Sequence, residues 1–505
     1  MSTGIKQNSP RKRAPKACIQ CRRRKALTIP DTPVRDSLLR GFVEFVYGVM
    51  PIIDIHEFLE IVQQGDGKSG QIGLLLFQAI MFAGSAFAEM KYLNAAGYQT
   101  KRAARQALFQ KVRLLYDFDV ESSPTARIQT TLWMTYWYNG PEDQKDLWYW
   151  VGVTVVLSSI SGLHHRPERR GATKAENRLN RRLWWCIFMR DQQIALGIRH
   201  PAQMRIEDHN VPVLTLGDFD FKAITHDMGV FPPECTFSRD LNQQLQLATM
   251  CIEQCRLSVC LNKILDWVYR VSRVVDTPNS YSILVPKNDN EVCVQTNRYK
   301  LELEQWICNL PHVCNYDSFS ALEQHDSPVI VVHKASLKMM YLTTVAVLHR
   351  PHILPFSPWS IVTSPFFNLW EDIQTASRTW ICWTASEISG IGRDLLELGL
   401  MQSLSATSVT VLIPAMIIHL TSIKSASKGF VRRSTREFSD CALLLRALVD
   451  VYKSAELALN FIKDTAQAAG IRLNPLGRSL LSMENISAYI EPAGDLSGYQ
   501  DHGDR

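Results

Sequence analysis

The sequence predicts an all-α protein: a large helical body preceded by a short basic arm expected to be disordered. Two observations carry that fold class. Apolar residues recur at three- and four-residue spacing along most of the chain. Runs of alternating strand residues joined by tight Asn-Gly turns are missing. No short-period repeat is evident, so the expected architecture is a solenoid-like bundle without a sequence repeat. At 505 residues, 46% hydrophobic and 21% charged, the chain can bury a large core. It divides into an arm over residues 1–34, a body over 35–474 and an acidic tail over 475–505, also expected to be disordered.

The arm reads RKRAPKACIQCRRRKALTIPD. The first 30 residues hold nine Lys or Arg and no acid, while the whole chain is only +6, so the rest is slightly acidic. Such an arm suits phosphate contacts or recognition by nuclear import machinery. Cys18 and Cys21 form a C-x2-C pair, followed at once by Arg22, Arg23, Arg24 and Lys25. That spacing lets both sulfurs reach one metal from a single turn. Thr28 stands where a third cysteine would follow, and the next cysteine is Cys186. Two thiolates cannot complete a tetrahedral site. Leu27–Pro33 reads as a linker.

The body begins near Arg35. Phe42, Phe45, Val46 and Val49 form an apolar stripe before Pro51. Ser123-Pro124 reads as an N-cap with proline at the first helical position, followed by Ile128, Leu132 and Tyr136 on one face. Val151, Val153, Val155 and Val156 favour a strand on local propensity. Leu179, Leu183, Ile187 and Ile194 share a helix face with Arg178, Arg181 and Arg182 near its start. Arg181 and Arg182 precede Trp184 and Trp185. Their guanidiniums are expected to stack on indoles or pair with carboxylates. Arg190-Asp191 is expected to lock adjacent helices, and Gly197 and Pro201 to end this one. The roles assigned to Arg181, Arg182, Trp184, Trp185, Asp191 and Pro201 are structural or regulatory, not catalytic. Cys251, Cys255 and Cys260 read as small core residues, because no histidine or second cysteine pair follows at ligand spacing. Leu74–Ala88 and Val409–Ile423 are apolar runs of 15 residues, short of the roughly 20 that cross a bilayer, and read as buried helices.

The arm resembles the opening of the fungal binuclear zinc cluster, whose six cysteines hold two zinc ions and present a basic helix to the DNA major groove. The body resembles the fungal transcription-factor regulatory domain in three places. These are Gly41–Asp54, the turn Ser161-Gly162-Leu163-His164-His165-Arg166, and the block Arg181–Asp191. After the last come Ala195–Pro201 and Glu207–Asp220. That 40-residue block is similar to regulators of cutinase genes. The resemblance implies that Val151–Val156 is helical. It also implies DNA contact by Arg22, Arg23, Arg24 and Lys25, with Arg11, Lys12 and Arg13 on phosphates or in import. It makes Cys18 and Cys21 the zinc ligands of an incomplete cluster. The cluster match stops abruptly after Lys25, which we read as a missing exon or a shortened regulator.

Enzyme motifs are absent from the sequence: no aspartate-rich D-D-x-x-D/E cluster, phosphate loop, G-x-S-x-G elbow or H-E-x-x-H. Glu371-Asp372 and the Asp218/Asp220 loop lack a further carboxylate at helical spacing. Adjacent His164 and His165 read as turn histidines satisfied by backbone. In the tail, five acids alternate with Ile486, Tyr489, Ile490, Leu496 and Tyr499, which suits a frayed terminus or an activation segment. The expectation is a nuclear, non-enzymatic regulator of RNA polymerase II genes, either biosynthetic-cluster genes or cutinase-like and lipid-responsive ones. Its expected partners are DNA, the transcription machinery and a homo- or heterodimer partner, with no membrane. The alternative is a regulator unable to bind DNA that acts only through protein contacts.

Overall fold

A computed structural model describes residues 29–64, 72–165, 171–223, 240–274, 281–287, 290–316, 326–353, 367–425, 428–473 and 475–481. Among these, sixteen α-helices and one two-stranded sheet occur, so the all-α class holds. The arm's Arg11, Lys12, Arg13, Cys18, Cys21, Arg22, Arg23, Arg24 and Lys25 lie outside the described residues, as does 482–505 of the tail.

Helix α1 (Thr32–Phe42) starts earlier than expected, because Pro33 sits in its first turn, where a missing N–H costs nothing. The linker therefore stops short of Thr32. The helix runs into a π-turn over Val43–Tyr47. After α2 (Ile55–Gln64), α3 (Leu74–Gly84) crosses α1 closely. A methyl group on Gly84 would overlap the Leu38 carbonyl oxygen, and one on Gly41 would lie 2.8 Å from the Gly84 carbonyl oxygen. Glycine is the residue that permits this approach. α4 (Met90–Ala95) and α5 (Lys101–Asp117) follow.

α6 (Pro124–Met134) begins as expected, with the Ser123 hydroxyl accepting from the Ala126 N–H. Ile128 and Leu132 are buried. The valine run folds into α7 (Leu147–Ile160), capped by Asp146 on the Tyr149 N–H. Burial of Trp150 and Val151 against α6 and the next helix overrides local strand propensity. That next helix, α8 (Lys174–Ile198), opens with a capping box between Thr173 and Glu176. It ends on Arg199 in the left-handed region, φ 56°. Gly197 is thus not the terminator. It lies inside α8, where a Cβ would come 2.7 Å from Thr410 Oγ1, and marks a close helix approach.

α9 (Leu241–Val268) leads into a hairpin the sequence reading did not anticipate, β1 (Tyr269–Val274) with β2 (Tyr281–Pro286). The strands are antiparallel with Tyr269 opposite Pro286 and Val274 opposite Tyr281. The Leu284 N–H donates to the Arg199 carbonyl at 2.7 Å, fixing the hairpin to the end of α8. The remaining helices are α10 (Asn290–Cys308), α11 (Pro328–His349), α12 (Phe367–Glu397), α13 (Thr407–Ser425), α14 (Lys428–Leu448), α15 (Lys453–Ala468) and α16 (Pro475–Leu481). α16 extends the helical body past Asn474, with Leu480 and Leu481 buried against α14 and α15. Of the first apolar run only Leu74–Gly84 is helical, as α3, and Ser85–Ala88 turn away from it, while Val409–Ile423 lies within α13; both helices pack on neighbours. Among the described residues, two helical segments are long and apolar enough to span a bilayer, Pro328–Ile353 and Thr407–Lys424, and 89% and 44% of their apolar windows are buried in the fold.

Candidate functional site

The block read as most telling forms a polar belt on α8 and the loop behind it. Arg178 pairs with Asp220 at 2.8 Å and Arg181 with Asp218 at 2.6 Å. Arg182 is buried and donates to the Asp218 carbonyl at 2.7 Å. Its guanidinium lies 5.8 Å from the Phe219 ring. The arginines thus choose carboxylates and a phenylalanine instead of the indoles. Asp218 is held in turn by Thr215, whose N–H and hydroxyl both donate to its Oδ2.

Trp184 and Trp185 meet edge to face at 4.9 Å. Trp185 Nε1 donates to the Pro212 carbonyl at 2.7 Å. Trp184 packs instead on His209, at 4.4 Å, and on Phe188. Burial pushes the His209 imidazole down to about 4, so it is neutral. Asp191 is buried and accepts from the Gln203 and Met204 N–H groups at 2.9 and 2.8 Å. It locks α8 to the loop that follows. Burial drives its carboxyl up to about 7, against the pull of those two bonds. Arg190 points elsewhere, donating to Thr135 Oγ1 at 3.0 Å and to the Thr135 carbonyl at 2.9 Å. Pro201 contributes its carbonyl, which accepts from Trp148 Nε1.

His164 and His165 lie in a turn with rings 3.9 Å apart. The expected backbone partner is not there: His164 Nδ1 is buried with no hydrogen-bond partner. Cys251 and Cys255 are buried in α9 as expected, with Cys186 of α8 in the same cluster. Among the described residues, no group of three His, Cys, Asp or Glu could hold a metal ion. In the arm, Cys18 and Cys21 are the two cysteines that could take zinc. Every described cysteine lies beyond residue 185, and Cys186, the next after Cys21, is buried inside α8. That donor set does not fit a two-zinc cluster.

Sequence reasoning missed a cavity beside the π-turn. It is a small open cleft lined by the π-turn, α8, α9, α11 and residues 403–407, with Phe87 and Tyr136 at its sides. Phe45, Phe87, Leu247 and Met340 supply apolar wall, and Gln193, Gln254, His333 and Thr407 supply polar groups. His333 Nε2 donates to the Glu44 carbonyl at 2.9 Å, and burial keeps that imidazole neutral by pushing it below its usual value. The Gln254 side chain is buried, and its Nε2 has no hydrogen-bond partner. Nothing in local sequence marks Gln254. Asp218 was legible in principle, because Thr215-Leu-Gly-Asp218 is a capping-box spacing.

The family model described as Fungal specific transcription factor domain matches residues 39–307, from α1 into α10. The chain is 39% identical over 465 residues to Cutinase transcription factor 1 beta of Fusarium vanettenii, covering 91% of this chain and 52% of that protein. It is 32% identical over 472 residues to a transcription factor of Fusarium pseudograminearum, covering 90% and 51%. It is 28% identical over 462 residues to Transcription factor cpaR of Aspergillus oryzae, covering 88% and 73%. The chain spans about half the length of the first two of these relatives. No solved structure matches it.

Proposed function

This chain belongs to the fungal specific transcription factor domain family, and from that premise we propose that it regulates transcription of RNA polymerase II genes in the nucleus. The observation carrying the reading is the family match over more than half of the chain. The relative named for cutinase transcription points to cutinase-type genes as targets, with lipid-responsive or biosynthetic-cluster genes in the same frame. The transcription-factor family and the relatives' names support a non-enzymatic regulator.

The family commonly binds zinc through its cluster, but here the donor set stops at two thiolates, so the proposed DNA contact is electrostatic. Arg22, Arg23, Arg24 and Lys25 engage phosphates, with Arg11, Lys12 and Arg13 assisting there or in nuclear import. Four phosphate contacts predict that affinity falls on the order of a hundredfold between 50 and 200 mM salt. Electrophoretic shift of the purified chain on DNA carrying CGG half-sites measures this. A flat salt response counts against the arm.

Thr28, standing in the third cysteine's place, favours a second reading in which the chain acts through related regulators or the transcription machinery. Specific, zinc-dependent binding in the same assay rules that reading out. No binding even at 50 mM salt supports it.

A further inference from the structure

Helix α7 carries no Asp, Glu, Lys or Arg anywhere in Leu147–Ile160. A helix that is apolar all round is normally buried all round. α3 obeys that rule: it too is uncharged, and nine of its eleven residues are buried. α7 breaks it. Trp150, Val151, Thr154 and Ser158 form its buried side, packed on α6 and α8. At about 100° per residue, Tyr149, Val153, Val156 and Ile160 fall within about 60° of one another on the opposite side. Ile160 is 78% exposed, more than any other large hydrophobic side chain among the described residues, and Val156 is 57% exposed. Tyr149 is exposed and Val153 half-buried. Where a surface helix presents its charges, α7 presents four apolar side chains in a row.

The chemistry and spacing of the stripe say what covers it. Charges steer a surface toward a different protein, and basic residues toward lipid headgroups, but this face has none. Homodimer interfaces are the more apolar class. The stripe advances by four, three and four residues, so it reads the same in both directions. An antiparallel second copy therefore sets Tyr149 against that copy's Ile160 and Val153 against its Val156, and a two-fold axis repeats both contacts. Opposed helix dipoles favour the same direction. One helix face supplies less than the roughly 800 Å² per partner of a standard interface, so such a dimer is weak, with a dissociation constant in the micromolar range.

We propose that the outward face of α7 is a homodimer interface, in which two copies of this chain pack α7 on α7, antiparallel, about a two-fold axis. The inference goes beyond the transcriptional reading and needs neither the arm nor DNA, so its failure would leave that reading standing.

Sedimentation velocity of the purified full chain, over a concentration series through the micromolar range, tests it. A reversible monomer–dimer equilibrium is expected. Tyr149→Glu and Ile160→Lys should each weaken it on the order of a hundredfold, because each buries an unpaired charge in the pair. Both positions are exposed, and an acid in the first turn and a cation in the last suit the helix dipole. Circular dichroism and Tm of each variant should therefore match wild type. Mixed one to one, the two variants should dimerise again, because the new acid faces the new cation across the pair, and added salt should weaken that mixed dimer. A wild-type chain that stays monomeric throughout the series overturns the proposal. So does a monomeric chain that floats with phosphatidylcholine vesicles, which assigns the stripe to a lipid surface. A dimer that neither substitution weakens places the interface elsewhere. Variants that are monomeric alone and fail to pair when mixed overturn the antiparallel register. The wild-type series needs no variant, so the proposal remains open to refutation even if one of them fails to fold.

Discussion

The α8 belt and the π-turn cavity use the same kinds of side chain and balance their charges differently. On the belt, Arg178 and Arg181 end on aspartate carboxylates and Arg182 on the Asp218 carbonyl, and Asp218 and Asp191 are surrounded by donors, although Arg182 Nε, Trp184 Nε1 and His209 Nε2 stay buried without a partner. At the cavity, Gln254 keeps a free donor and Arg190 a charge without a counter-ion. Fully satisfied polar networks rigidify a fold, and a partly satisfied one is a local cost. The difference is one of charge: the belt spends two ion pairs and the Asp191 carboxylate on holding shape, while the arginine behind the cavity wall bonds to neutral groups. The most recognisable sequence block is conspicuous because most of its charged groups bond inside the fold.

If the belt is scaffold, breaking it costs stability heavily. Asp218→Ala removes the partner of Arg181 and the acceptor for Thr215 in one step. Loss of a buried ion-pair partner predicts destabilisation of about 3 kcal/mol, read as a lowered denaturant midpoint. A midpoint within experimental error of wild type would make the belt ornamental and dissolve the comparison.

Asp191 offers a smaller, pH-dependent test. Its folded carboxyl titrates near 7, well above the ordinary aspartate value of an unfolded chain. The folded state therefore holds the proton more tightly, and this contribution to stability is complete at low pH. It is lost as pH rises through 7. Between pH 6 and 8 the chain should lose about 1 kcal/mol relative to Asp191→Asn, which has no proton to release. Paired thermal melts across that range measure it. Parallel curves would mean that the backbone donors of Gln203 and Met204 outweigh burial.

Much of the fold was legible because helix signals are local. The Ser123-Pro124 cap and the stripe along α8 sit where spacing placed them. The valine run in α7 needed resemblance to overrule propensity, since only burial of Trp150 and Val151 makes it helical. The β1–β2 hairpin was missed although Tyr269, Val271, Tyr281, Ile283 and Val285 are strand formers, because no tight Asn-Gly turn announces it. Of the site residues, α8 yielded its positions but not its partners. Asp218 lies some 35 residues along the chain from the arginines it serves. The cavity was invisible, since its wall joins residues 45 to 407 and depends on which donors tertiary packing fails to satisfy.

The smallest predicted effects sharpen the contrast most, because they compare like with like. Trp185→Phe deletes one buried hydrogen bond from the belt, the 2.7 Å contact with the Pro212 carbonyl, and keeps an aromatic ring. It should cost about 1 kcal/mol. Ser336→Ala also deletes one hydrogen bond, but at the cavity wall, where the hydroxyl merely donates to the Val332 carbonyl one turn back in α11. That carbonyl already serves the helix, and alanine is the better helix former, so the midpoint should move by less than about 0.5 kcal/mol. Urea midpoints of the two variants, measured side by side, check both values. Equal losses would mean that polar groups carry the same structural weight in both regions, and the contrast between them would lose its physical ground.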